Sequence, residues 1–212
     1  MNKTTFKTLT TTGKKITKQD LEKAGFKVFD RTNEILEKVE FSKEKKTYDL
    51  EIVSVADLGF TNWVLLKDIY AKAKEMGYEP CPAEVAPLLR MNYKDQPLDE
   101  WLTIAMDAIT DRGGNPKLFD VGHDFVGLWL HRNYGKLNGN WSANSRFVFV
   151  SRKSELKTES LNTSLDLLSL NLKKYEVQTR LELYELLHKK FMVSENKEEI
   201  DILEKLQKEI LS

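Results

Sequence analysis

Glycine, proline and tryptophan are confined to one stretch of this 212-residue chain. All five prolines (80, 82, 87, 97, 116), all four tryptophans (63, 101, 129, 141) and eight of the ten glycines lie between Gly59 and Trp141. Turn formers set among large aromatic side chains specify a loop-rich globular domain with its own core. Beyond Trp141 there is neither glycine nor proline, the mark of a long helical region.

Charge divides the same way. Lys+Arg and Asp+Glu are both 33, so the net charge is zero and no overall positive field exists to grip nucleic acid or anionic lipid. That neutrality hides a basic head, with twelve basic against seven acidic residues in 1–47, and an acidic tail, with nine against twelve in 154–212. The single Cys81 excludes an intramolecular disulfide and a Cys-rich zinc site. No apolar run is long enough to span a bilayer, and the N-terminus lacks the apolar core of a secretory signal. A cytoplasmic protein is the expectation, with no membrane contact.

The pattern predicts four segments. Residues 1–16 read as a disordered basic tail. Residues 17–46 read as a short helical region. There Thr17 and Asp20 form a capping box, Gly25 ends a first helix, and Asp30 starts a second one bearing Ile35, Leu36 and Val39. Residues 47–153 read as a globular α+β domain. TYDLEIVSV alternates as a strand, WVLLKDIYAKAKEM is a helix ended by Gly77, and Pro87 keeps any helix in CPAEVAPLLRMNY short. WLTIAMDAI and KLFDV form a hairpin across TDRGGNP, DFVGLWLHRNY is a further strand with Gly127 as a bulge, and RFVFV is a fully apolar strand. Trp101 and Trp129, inside strands, are expected in the core, while Trp141 falls in a loop. Residues 154–212 read as a C-terminal helical region in which Leu161, Leu165, Leu168, Leu172 and Tyr175 recur at helical spacing. The expected fold is therefore a central antiparallel sheet domain with early helices, flanked by a short N-terminal helical region and a C-terminal helical hairpin. The leucine stripe offers a coiled-coil surface for self-association through residues 161–191.

Chemistry is harder to find. Thr-Gly-Lys-Lys at 12–15 lacks the first glycine, the final Ser/Thr and the preceding strand of a phosphate-binding loop. His123 and His131 are the best catalytic candidates. Eight residues apart on one extended strand they share a face, and with Arg132 they supply the acid, base and cation of a metal-independent ribonuclease-like hydrolase. Asp107, Asp111, Asp120, His123 and Asp124 match no metal-loop spacing, so turn formation is the better reading and no metal or other cofactor is expected. Cys81, between two prolines, fits a small buried side chain better than a nucleophile. The loop rich in Gly and Asn at 133–145 brings Tyr134, Asn140 and Trp141 together, a ring-and-amide set suited to ligand binding.

The segments SVADLGF, KEMGYEPCPAEVAPLLRMNYKDQP, EWLTIAMDAITDRGGNPKLFDV, GLWLHRNYG and RFVFVSRK resemble a domain of uncharacterised bacterial proteins, often from small-genome candidate phyla. The resemblance covers roughly residues 50–153, about half the chain. It implies a bacterial, cytoplasmic origin and assigns no role to any residue.

Three readings follow, ranked. The first is a non-enzymatic binding or protein-interaction module for a protein or small-molecule ligand, favoured because no strong catalytic constellation is present. The second is the two-histidine hydrolase, with the basic head as an arm for phosphates. The third is a nucleic-acid-binding regulator using a helix-turn-helix at 18–41. It ranks last because Asp30, Glu34, Glu37 and Glu40 on the recognition helix repel phosphates.

Overall fold

The computed structural model describes residues 5–151. The chain begins with β1 (Lys7–Thr10), α1 (Lys18–Lys23), β2 (Lys27–Val28), a 3-10 turn (Asp30–Thr32) and α2 (Asn33–Leu36). It continues through β3 (Thr47–Ser54), β4 (Val64–Leu65), α3 (Leu66–Glu75), β5 (Tyr78–Glu79), α4 (Val85–Asn92) and β6 (Trp101–Ile104). The last part comprises β7 (Ile109–Thr110), β8 (Pro116–Asp124), β9 (Gly127–Tyr134), β10 (Asn140–Trp141) and β11 (Arg146–Ser151).

Among the described residues nine strands form one mixed sheet curled into a half-barrel, in the order β1-β3-β11-β6-β8-β9-β2, with β5 joined to β11 and β7 to β8. The β11–β6 and β2–β9 pairs are parallel, and the other pairs of this sheet are antiparallel. β11 is central, which is why its sequence is continuously apolar: Phe147, Val148 and Phe149 are all buried, on both faces. β4 and β10 form a separate two-stranded ladder.

This architecture corrects the expected α+β class with a purely antiparallel sheet. Among the described residues the chain is mostly strand, with four short helices. The capping box is present, with Thr17 accepting from the Asp20 amide and Asp20 accepting from the Thr17 amide, and Gly25 follows α1 at φ 88°. The expected N-terminal helical region keeps two short helices, but the two-residue β2 between them joins the sheet. β2 separates α1 from α2, and α2 spans only four residues, so no helix-turn-helix forms. Residues 7–10, expected in a disordered tail, pair with β3, and their threonines bind across the pair: Thr8 Oγ1 donates to Asp49 at 2.7 Å and Thr10 meets Thr47 at 3.2 Å. β-Branched threonine suits a half-exposed edge strand. The expected C-terminal helical hairpin, its coiled coil and the self-association stripe of 161–191 lie outside the described residues. No helix among the described residues is long and apolar enough to cross a membrane.

Register sorts the side chains into two faces, because directly opposed residues of a pair share a face and neighbours alternate. Leu9, Leu50, Leu102, Val121, Leu130 and Val148 lie on the face that α4 covers, and all are buried. Tyr48 on this face donates to Glu84 at the start of α4 at 2.9 Å, and the Lys7 ammonium stands over the Tyr93 ring at its end. Phe147, Phe149, Thr103, Asp120 and His131 lie on the opposite face. There Tyr70 of α3 packs edge-on against Phe149, and Trp141 packs on Phe147.

Arg90 ties α4 to the sheet. It is fully buried, yet no carboxylate pairs with it among the described residues. Nη1 donates to Gln96 Oε1 at 2.6 Å and to the Gly122 carbonyl at 3.2 Å, and Nη2 donates to the Tyr93 carbonyl. The guanidinium also stands 5.1 Å from the centre of the Phe26 ring. Burial pulls its pKa down to about 10, so it stays charged at neutral pH.

Candidate functional site

The β8–β9 hairpin decides the fate of the two histidines. Its turn is two residues, Phe125–Val126, between the pair Asp124 and Gly127. Asp124 Oδ1 accepts from the Val126 and Gly127 amides at 2.8 and 3.1 Å and from the Trp129 indole at 2.8 Å, and Gly127 takes φ 146°. His123 then opposes Leu128 and His131 opposes Asp120, which puts the imidazoles on opposite faces of the sheet. The candidate acid–base pair of the hydrolase alternative therefore does not share a face.

Each histidine is instead fixed locally. His123 Nδ1 donates to the Gln96 carbonyl at 2.6 Å and holds the loop before β6. His131 Nδ1 donates to the Arg132 carbonyl at 2.9 Å, its ring stacks on Phe29 at 4.5 Å, and partial burial lowers its pKa. Arg132 shares the α4 face with His123 but turns to the β7–β8 loop, where Nη1 donates to Asp111 Oδ2 at 2.7 Å. Asp111 Oδ1 accepts from the Asn115 and Gly113 amides at 2.9 and 3.0 Å. The Asn115 amide foremost, then Arg132, holds this carboxyl down to about 2.

The ligand-binding set also separates. Tyr134 is exposed, with the Lys117 ammonium 4.3 Å over its ring, on the α4 face. Trp141 packs half-buried on Phe147 on the other face, and Asn140 pairs with Leu65. Cys81 is buried, its thiol donates to the Val148 carbonyl at 3.4 Å, and burial pushes its pKa up. Among the described residues no three His, Cys, Asp or Glu side chains gather as for a metal ion. Asp120 stands apart from the other acidic candidates. It is 6% exposed, accepts from Asn133 Nδ2 at 2.8 Å and lies against the Thr103 hydroxyl, and burial raises its pKa to about 6.

What the structure does assemble is an aromatic surface on the face opposite α4. Trp101, expected in the core, is 40% exposed and lies flat over Gly122. His131 meets the Trp101 ring edge-on at 5.8 Å and stacks on Phe29. Trp129, also expected in the core, is half-buried beside them, with the Lys27 ammonium 5.8 Å above its ring. Leu98, at 59% exposure, stands in the loop before β6, which is tied to the same end of β8 by Asp99 N–H donating to the His123 carbonyl at 2.8 Å. At the same end of the sheet the hairpin tip exposes Phe125 and Val126, at 93% and 46%. Glu100 braces this end, accepting from Tyr93 and Arg146 at 2.7 Å each. The sequence signal for the surface was Gly122 itself, a bare position in a strand beside tryptophans.

A cleft of about 460 Å³ opens elsewhere, between α3, the segment Met106–Ala108, Pro116 and the loop Gly135–Asn138. The first amides of α3 hold that loop: Leu66 N–H donates to the Gly139 carbonyl at 3.0 Å and Lys67 N–H to the Leu137 carbonyl at 2.9 Å. Gly135 closes it on the β7–β8 hairpin, where a Cβ would stand 2.8 Å from the Ala108 methyl and 3.0 Å from the Lys117 backbone. The loop thus lines a cleft, although Tyr134, Asn140 and Trp141 do not. The chain matches no protein-family model, and neither a curated protein nor a solved structure matches it.

Proposed function

We propose that this chain is a non-catalytic protein-interaction module that recognises its partner through the aromatic surface around Trp101. One observation carries the reading. Five large apolar side chains from three separate segments, Phe29, Leu98, Trp101, Phe125 and Val126, are exposed at one end of the sheet. Exposing them costs solvation free energy that folding alone does not recover, and a partner that covers them removes that cost. The patch is held rigid by Gly122, Asp124, His131 and Glu100, so little ordering entropy is lost on binding. Tryptophan and phenylalanine are the side chains that dominate protein interfaces energetically. The opposed facing of His123 and His131 supports this reading over the hydrolase.

Site-specific photo-cross-linking tests it. A benzophenone side chain placed at Leu98 and, separately, at Phe125 should label the same protein in bacterial cells. One placed at the exposed Lys45 should label nothing in common with them. Trp101→Asp should abolish both labels. Equal labelling from all three positions, or none at Leu98 and Phe125, would overturn the proposal.

A further inference from the structure

The cleft beside α3 is independent of the aromatic surface, and its chemistry is specific. Its floor is apolar and preformed: Leu66 and Met106 are each 1% exposed. The Tyr70 hydroxyl is consumed by Met106, donating to its carbonyl and accepting from its amide, both at 3.0 Å, so the ring serves as a wall. Two charged side chains stand on the rim, Asp107 and Lys136. Both are exposed, and neither joins an ion pair within 4.0 Å among the described residues. Asp107 is near enough to Tyr70 to help raise the phenol's pKa, behind the larger effect of burial. Ala108 and Gly135 touch, so Asp107 and Lys136, each next to one of them, occupy neighbouring walls.

We infer that the cleft binds a small dipolar ligand, an apolar amino acid or dipeptide. Its ammonium group is set against Asp107, its carboxylate against Lys136, and its side chains on Leu66 and Met106. The volume lies in the range of small-molecule sites and is too small for a folded partner. A phosphate lacks its donors, since the leading amides of α3 are already used by the Gly139 and Leu137 carbonyls. A purely anionic ligand is repelled by Asp107 and a purely cationic one by Lys136. The two charges sit on adjoining walls, so those of the ligand must also be close, which favours one or two residues over a longer peptide.

Isothermal titration calorimetry on the full chain, with Leu-Leu, N-acetyl-Leu-Leu, Leu-Leu-amide and leucine, tests the assignment. Leu-Leu or leucine should bind, and blocking either terminus of Leu-Leu should weaken binding by roughly fivefold, as for a solvent-exposed ion pair. Asp107→Asn should remove the penalty of acetylation alone, and Lys136→Gln the penalty of amidation alone. Both substitutions are at exposed positions, so the variants remain folded. No binding by Leu-Leu or leucine at about 10 mM, a Kd too weak to matter, would overturn the inference. So would blocked dipeptides that bind as well as the free one, or penalties that persist in both variants.

Discussion

Trp101 lies across the bare Cα of Gly122: a Cβ built on that glycine would stand 2.3–2.5 Å from the indole ring. The backbone of Gly122 is ordinary strand, so the requirement for glycine is steric and comes from the tryptophan alone. Gly122→Ala should lift the indole and cost about 1–3 kcal/mol, as overpacking does. Tryptophan emission should shift to the red. Because the strain belongs to the pair, adding Trp101→Ala should recover much of the loss, which a double-mutant cycle in urea reads as a coupling. Additive losses would show that the contact is not what Gly122 serves.

Arg90 is fully buried and donates to three acceptors, so removing it should be costly. Arg90→Met would leave Gln96 Oε1 and the carbonyls of Tyr93 and Gly122 without this donor in a dry interior. Each orphaned acceptor costs on the order of 1–3 kcal/mol, so the variant should lose at least about 3 kcal/mol. Arg90→Lys should recover only part, because one ammonium cannot reach acceptors on α4, the following loop and β8 at once. Chemical denaturation of the three proteins orders them, and a lysine variant as stable as the parent would refute the clamp.

The elements written locally in the sequence are those that formed as read. β3 and β11 form where they were read, Thr17 with Asp20 caps α1, and α3 ends before Gly77, although it starts only at Leu66 because Val64–Leu65 pair with β10. The elements that were not legible depend on distant partners. β1 is a run of lysine and threonine around Leu9 that becomes a strand only because β3 offers its edge. β2 is two residues long and gains its identity from β9. The parallel pairing of β11 with β6 has no local signature at all.

For the site, one turn made the difference. An even spacing put His123 and His131 on one face of a single strand, but Phe125–Val126 reverses the chain between them and sets odd-numbered residues of β8 against even-numbered residues of β9. Neither Phe nor Val signals a turn. The signal lay in the flanking Asp124, which caps both following amides, and in Gly127, which takes the left-handed φ. Trp101 was misplaced for a related reason: strand membership fixes a face only when the covering layer is known, and α3 does not extend over this end.

Asp111 ties Arg132 to the β7–β8 loop and should govern acid stability. Its carboxyl is held at about 2, below the ordinary 3.8, so its contribution is complete above about pH 4 and is lost as pH falls through 2. Asp111→Asn keeps an oxygen for the Gly113 and Asn115 amides but removes the charge facing Arg132. Urea unfolding between pH 2 and 5 should show a steep acid-side slope in the parent and a shallower one in the variant. Equal slopes would assign acid sensitivity to other carboxylates.

Asp120 works in the opposite direction. It is buried on the face opposite α4, its Oδ1 meets no donor among the described residues, and its folded pKa rises from 3.8 to about 6. A raised carboxyl pKa means that the folded state holds its proton more tightly than the unfolded chain. The contribution is therefore fully present below about pH 4 and is lost as pH rises through 6, by roughly 3 kcal/mol in all. With Asp111 falling away on the acid side, stability should peak near pH 4 and decline toward neutrality. Asp120→Asn cannot ionise, so between pH 4 and 7 its unfolding free energy should lack the fall seen in the parent and rise slightly instead, because the partly buried His131 holds its proton less tightly than it does in the unfolded chain. The difference in slope is the readout, because the absolute stability of the variant also depends on where its new amide points. Parallel slopes for parent and variant from pH 4 to 7 would show that Asp120 ionises at an ordinary pKa, and that Asn133 and Thr103 solvate its carboxylate in full.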